Sequence, residues 1–264
     1  MKSAKEVAEN YMNVGKNKVS MPLWKMFLSA VFAGAFIAFG ALGSQIAGAC
    51  IGGTAGRIAS ACIFPVGLIL VVSLGVELFT GNCLLFLPCL AGKITVSSML
   101  KNWGVVYLGN FVGSVLVALA AAFGHTYGII VSAAGDWRSV QDTAVSKCGL
   151  SVTDDILRGI LCNVLVCLAV WLAMAATDSA GKLIGTYLPV MLFVLCGFEH
   201  SVANMYFIPA GALVASLSGE RAGITCLQFL HNLLPVTLGN ILGGACIVGG
   251  GIFLLFVKNA PAKN

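Results

Sequence analysis

Gly197-Phe198-Glu199-His200-Ser201-Val202-Ala203-Asn204 sits in the middle of an otherwise uncharged run from Leu183 to Gly219. That run is 37 residues long, whereas a helix needs only about 20 apolar residues to cross a bilayer. A carboxylate and an imidazole at the centre of such a segment are costly in lipid and belong on a cavity or the bundle interior. The length and the interruption together predict a membrane helix broken near its middle.

The same signal occurs earlier. The run from Ile58 to Gly92 holds a single charge, Glu77, within Gly75-Val76-Glu77-Leu78-Phe79-Thr80-Gly81-Asn82. Gly-x-Glu followed five residues later by Asn appears in both stretches, offset by 122. A second pattern repeats at nearly the same distance. Asn102-x3-Val106-x-Leu108-Gly109-Asn110-x2-Gly113 returns as Asn232-x3-Val236-x-Leu238-Gly239-Asn240-x2-Gly243, offset by 130. Over-long hydrophobic segments interrupted at matching points of two halves are the sequence mark of a midplane transport site.

Composition sets the class. The 264 residues are 59% hydrophobic and 9% charged, with a mean hydropathy of +0.97; soluble domains carry roughly a quarter charged residues. The chain therefore reads as an all-α membrane protein, because long continuous apolar runs do not show the ten-residue alternation of a barrel. A net charge of +5 without a basic cluster offers nucleic acid no surface. Seven of the ten cysteines stand singly in apolar runs with no Cys-x-x-Cys pair, so packing is expected of them, and no metal or cofactor.

Residues 1–24 are read as an amphipathic N-terminal helix on the membrane surface or a neighbouring subunit, opened by a Ser3/Glu6 capping box. Residues 25–264 form one transmembrane domain. Its spans are expected within Met26–Gly56, Ile58–Val76 continued from Gly81 to Leu90, Trp103–Phe123, Gly159–Thr177, Leu183–Phe198 continued from Val202 to Leu217, and Asn232–Val257. A polar loop of some thirty residues follows the third span. Six transmembrane helices thus arise as two three-helix repeats, about 25–124 and 155–258, with discontinuous second and fifth helices. Three is odd, so the second repeat enters the membrane inverted. With both termini on one side, that side carries ten lysines (Lys2, Lys5, Lys16, Lys18, Lys25, Lys93, Lys101, Lys182, Lys258 and Lys263), and the other carries five basic residues, Arg57, Arg138, Lys147, Arg158 and Arg221. Positive charge favours the cytoplasm, which puts the termini there.

Phe198-Glu199-His200-Ser201-Val202-Ala203-Asn204-Met205, Glu77-Leu78-Phe79-Thr80 and Pro235-Val236-Thr237-Leu238-Gly239-Asn240 resemble the signatures of the formate/nitrite transporter family. The resemblance runs from Pro22 to Val257 and is nearest to the hydrosulfide-conducting channels of anaerobic bacteria. It implies an aquaporin-like fold, a homopentamer with one pore per protomer, and a place in the bacterial inner membrane. It also implies roles. His200 projects into the pore midway, facing Thr80 across it. Lys147 stands near the pore on the outer side with Asn163 close by. Leu78 and Phe79 are apolar constriction residues on the loop that breaks the second span, Leu68 belongs to a cytoplasmic-side constriction, and Phe64 and Phe193 to the outer one. Glu77, Glu199, Asn82 and Asn204 have structural work at the two breaks, since Glu199 and His200 are adjacent and cannot share a helical face.

Two transport schemes fit these residues. A small anion (hydrosulfide, formate or nitrite) drawn in by Lys147 takes a proton near the throat and crosses as the neutral acid, or His200 as imidazolium escorts the anion. A water or glycerol channel is the nearer alternative, though no paired Asn-Pro-Ala occurs. An intramembrane enzyme is disfavoured, because the chain holds neither His-Glu-x-x-His nor Gly-x-Ser-x-Gly.

Overall fold

The computed structural model describes residues 1–219 and 223–258; Arg221 and Lys263, counted above for orientation, lie outside the described residues. The described chain is helical throughout. Helix α1 (Ala4–Ser20) opens on the expected box: the Ser3 amide donates to Glu6 at 2.8 Å and the Glu6 amide to Ser3 Oγ at 3.3 Å. Its apolar face buries Val7, Ala8 and Tyr11, and Gly15 rests on Pro88.

Helix α2 (Leu23–Ile51) stops at Gly52 and Gly53, both at positive φ, where residues with a Cβ are strained. Helix α3 (Gly53–Leu74) bends at Phe64-Pro65, because Pro65 has no N–H to continue the ladder. Gly75, in the left-handed region at φ 70, ends it. Three residues later the extended Leu78 starts α4 (Phe79–Leu90). Helices α5 (Val96–Phe123), α6 (Gly128–Ala134), α7 (Arg138–Cys148) and α8 (Val152–Ala175) follow. The second broken pair is α9 (Ser179–Leu195) and α10 (Ser201–Leu217), separated by Gly197 at φ 70 and an extended His200. Helix α11 (Cys226–Val257) completes the described chain.

Helices α2, α3, α5, α8 and α11 are each long and apolar enough to cross a membrane, and the shorter α4, α9 and α10 are apolar too. Their outward faces carry Phe32, Phe39, Leu108, Leu116, Leu188 and Leu238, as a bilayer requires. The chain is a multi-pass membrane protein.

Glycine sets the helix contacts at two equivalent crossings. Gly113 on α5 lies against the Val31 carbonyl of α2, and Gly243 on α11 against the Ile160 carbonyl of α8. Neither site has room for a methyl group. Backbones approach this closely only where side chains are absent. Gly113→Ala is expected to push α2 and α5 apart and to cost about 1–3 kcal/mol, read as a lower melting temperature of the purified protein in detergent.

The structure corrects several boundaries. The segment after Phe123 is not a polar loop but helices α6 and α7. The first span ends at Ile51, and the second starts at Gly53 rather than Ile58. The third, fourth and sixth begin at Val96, Val152 and Cys226, seven or six residues before the apolar runs, because Thr95, Ser151 and Thr225 cap them. Hydropathy registers lipid contact; it is blind to a polar first turn that a cap stabilises.

Candidate functional site

Each break exposes a helix start whose first amides lack intrahelical acceptors. A buried asparagine splints each one. Asn110 Oδ1 accepts from the Phe79 amide at 2.9 Å, while its Nδ2 donates to the carbonyls of Ala30 (2.7 Å) and Glu77 (3.0 Å). Asn240 does the same at the other break: it accepts from the Ser201 amide at 2.9 Å and donates to Gly159 (2.8 Å) and Glu199 (3.0 Å). Non-helical backbone at membrane depth persists only when its polar groups are met in this way.

Behind each splint lies a buried carboxylate held by a lysine and an asparagine, with a second asparagine bonded to the first. Glu199 bonds Lys147 Nζ through both oxygens, at 2.9 and 3.0 Å, and Asn204 Nδ2 donates to it at 2.6 Å and to Asn232 at 2.8 Å. Glu77 bonds Lys18 Nζ at 2.7 Å, with Asn82 Nδ2 donating to it at 2.7 Å and to Asn102 at 2.9 Å. Lys18 is the member of these clusters that the sequence reading did not single out, having been assigned to a surface helix. One signal could have found it. Lys18 and Lys147 both stand five residues ahead of a long helix, at Leu23 and Val152.

His200 and Thr80 meet between the breaks, Nε2 to Oγ1, at 2.9 Å. The imidazole also caps α10, its Nδ1 accepting from the Ala203 amide at 3.0 Å. A nitrogen that accepts from an N–H carries no proton of its own, so the ring is neutral with its hydrogen on Nε2. Nε2–H then donates to Thr80, which leaves the Thr80 hydroxyl hydrogen available. Thr80 is fixed from behind, its carbonyl accepting from Asn163 Nδ2 at 3.1 Å. Asn163 also donates to the Asn240 carbonyl at 2.6 Å. It therefore ties Thr80 at the first break to the backbone of α11, whose Asn240 splints the second, and its bonds run to Thr80 and Asn240, not to Lys147.

Two cavities approach this centre. The first, about 510 Å³, is lined by Lys147, Glu199, Arg57, Phe64, Phe193, Phe207 and His200. The second, about 770 Å³, is lined by Lys18, Lys2, Lys182, Glu77, Leu68 and Leu78. Phe64 and Phe193 stand edge to face at 5.6 Å between ring centres, and Phe193 stacks parallel to His200 at 5.9 Å. Phe207, unforeseen from the sequence, stacks on Phe64 at 6.3 Å and lies beneath Lys147 Nζ at 5.3 Å. Phe79 departs from the expected constriction. It lines neither cavity, because the Asn110 tether on its amide directs the ring into Tyr107 (4.8 Å) and Trp103 (6.2 Å).

A lysine-bearing cavity that reaches a histidine flanked by aromatic rings, with a second lysine-bearing cavity lined by Leu68 and Leu78, all among apolar helices long enough to span a bilayer, fits a membrane transport protein. The family model described as formate/nitrite transporter matches residues 5–254, and the chain belongs to that family. It is 39% identical to a probable formate transporter of Methanothermobacter thermautotrophicus, over 97% of this chain and 98% of that protein. The solved structure of an FNT family ion channel superposes with a TM-score of 0.81 at 31% identity, covering 95% of this chain and 97% of that one. A solved pentameric formate channel with formate bound gives a TM-score of 0.73 at 29% identity, covering 89% and 98%.

Proposed function

We propose that the protein is a channel for small monovalent anions of weak acids, which cross its throat as the neutral acid. One observation carries the reading: a neutral His200 bonded to Thr80 and stacked on Phe193 lines a cavity that presents Lys147, while a second cavity presents Lys18 beside Leu68 and Leu78. The lysines concentrate anions at the mouths. The apolar rings oppose a bare charge by several kcal/mol. Hydronium from the bulk, relayed through water in the cavity, supplies the proton and leaves water behind, since a neutral imidazole that gave up its only N–H would become an anion itself. His200 and Thr80 donate hydrogen bonds to the passing acid. The imidazolium scheme is disfavoured, because a proton on Nδ1 would point at the Ala203 N–H.

Formate is supported by the names of the relatives. Hydrosulfide, favoured by the motif resemblance, and nitrite are conjugate bases of weak acids as well, and suit the same route. The paired splints and carboxylates support a six-span chain of two inverted repeats in which α3–α4 and α9–α10 are the broken spans. In that scheme α1 and α7 are equivalent, each bringing its lysine to a glutamate. Residues 1–24 then belong to the channel domain as its inner wall. A homopentamer in a bacterial cell membrane with cytoplasmic termini completes the proposal, the solved formate channel being pentameric.

Purified protein in liposomes should carry formate, hydrosulfide and nitrite at least about tenfold faster than chloride, which has no accessible neutral acid. Glycerol should cause no protein-dependent swelling. Chloride flux equal to formate flux would contradict the neutral-acid route.

A further inference from the structure

The two carboxylate clusters differ at one position. Beside Asn102 in the Lys18 cluster stands Met26 of α2, with Sδ 3.6 Å from the amide nitrogen. Beside Asn232 in the Lys147 cluster, the equivalent turn of α8 presents Asp155, whose Oδ1 accepts from Asn232 Nδ2 at 2.9 Å. Asp155 is fully buried. Its Oδ2 meets no donor, and neither does Oδ1 of Asn204 in the same cluster. No such orphan occurs on Glu77, Asn82 or Asn102 among the described residues.

Charge counting points the same way. Lys147 faces two carboxylates, Glu199 directly and Asp155 through Asn232, which also donates to the Lys147 carbonyl at 3.0 Å. The other ionisable groups nearby do not redress the balance. Cys148 on α7 and Cys162 on α8 are thiols, Asp154 and Arg158 pair with each other on the exposed side of α8, His231 on α11 is exposed, and Arg57 on α3, which lines the same cavity, is exposed and donates to the Leu195 carbonyl at 2.8 and 3.1 Å. With both acids ionised the buried cluster would carry one uncompensated negative charge, which a low-dielectric interior resists. Two carboxyls that share one cation hold their last proton as a pair.

We propose that Asp155 is a positioning residue acting through Lys147: it bears the proton that keeps the Lys147–Glu199–Asp155 cluster neutral, so that the cavity in front of Lys147 attracts anions. When the proton leaves, the cluster turns negative and repels them. The Lys18 cluster, with Met26 in that place, has no such control, so pH tunes one mouth of the pathway and not the other. This rests on the weak-acid reading above.

The test compares wild type with Asp155→Asn, whose amide oxygen still accepts from Asn232. Formate flux into liposomes is measured for both at each pH, so that the changing fraction of formic acid cancels in the ratio. Equal rates are expected at mildly acidic pH. Wild type should fall about threefold to tenfold behind the variant as the medium becomes alkaline. Infrared spectra of the purified proteins give an independent reading, a protonated-carboxyl stretch in wild type that Asp155→Asn removes. Should Asp155→Asn fail to assemble, Asp155→Met reproduces the Met26 arrangement and takes its place. A rate ratio flat with pH, or no band lost from the wild-type spectrum, overturns the proposal. Absence of formate flux in every protein would instead sink the weak-acid reading, while the infrared band would still decide whether Asp155 holds a proton.

Discussion

His200→Asn should fold and assemble as the wild type does yet lose roughly tenfold to a hundredfold in formate flux. Asparagine is a good N-cap, so the Ala203 amide keeps an acceptor and α10 keeps its start. The shorter side chain no longer reaches Thr80, which His200 Nε2 meets at 2.9 Å. The pathway then loses a fixed donor beside Phe193, and a polar group left there without its partner costs about 1–3 kcal/mol. His200→Leu should lose flux and stability together, because a buried amide without an acceptor costs about 1–3 kcal/mol. Flux assays beside thermal melts separate the two effects. Wild-type flux in His200→Asn would reduce the histidine to a cap.

Glu199→Ala is expected to cause the largest loss of stability, about 3–5 kcal/mol, as removing one member of a buried ion pair does. The carboxylate is almost wholly enclosed, with 6% of its side chain exposed against 15% for Lys147. Its removal strands Lys147 Nζ and withdraws an acceptor from Asn204 Nδ2. Glu199→Gln leaves the acceptor for Asn204 but still strands the lysine. The double variant Glu199→Gln with Lys147→Met should therefore melt higher than Glu199→Gln alone. A double variant no better than the single one would show that the pair adds nothing to the fold. Anion flux should stay low in the double variant, because Lys147 is the less exposed of the two cations on the wall of the first cavity, Arg57 being exposed and bonded to the Leu195 carbonyl.

The breaks were legible because two kinds of residue are forced there. Gly75 and Gly197 take positive φ, and the carboxylates Glu77 and Glu199, buried in apolar runs, each need a donor five residues on, Asn82 and Asn204; these asparagines bond the glutamates and not freed backbone groups, which Asn110 and Asn240 meet instead. Such residues have no other reason to sit in a membrane helix, so their spacing is information. The lining was less legible. Phe79 and Phe207 are both aromatic residues near a break, and periodicity treats them alike. Their directions are decided by contacts distant in sequence: the Asn110 tether draws Phe79 toward Tyr107, and Lys147 lies over Phe207. Lys18 was hidden for a related reason. A lysine on an amphipathic helix at the membrane surface reads as facing headgroups or water, and only the return of α1 across Pro88 and Leu85 brings it to Glu77. Asp155, in the first turn of a capped helix beside Asp154, gives no hint in sequence that it alone of the two is buried.

The central claim is that acid, and not anion, passes between Phe193 and Leu78 beside His200 and Thr80. Simultaneous recording of formate uptake and internal pH in proteoliposomes, with the membrane voltage clamped at zero by potassium and valinomycin, tests it directly. The account predicts one proton entering with each formate and no effect on the rate when a voltage is then imposed. Formate entry that follows the imposed voltage, with internal pH unchanged, would contradict it.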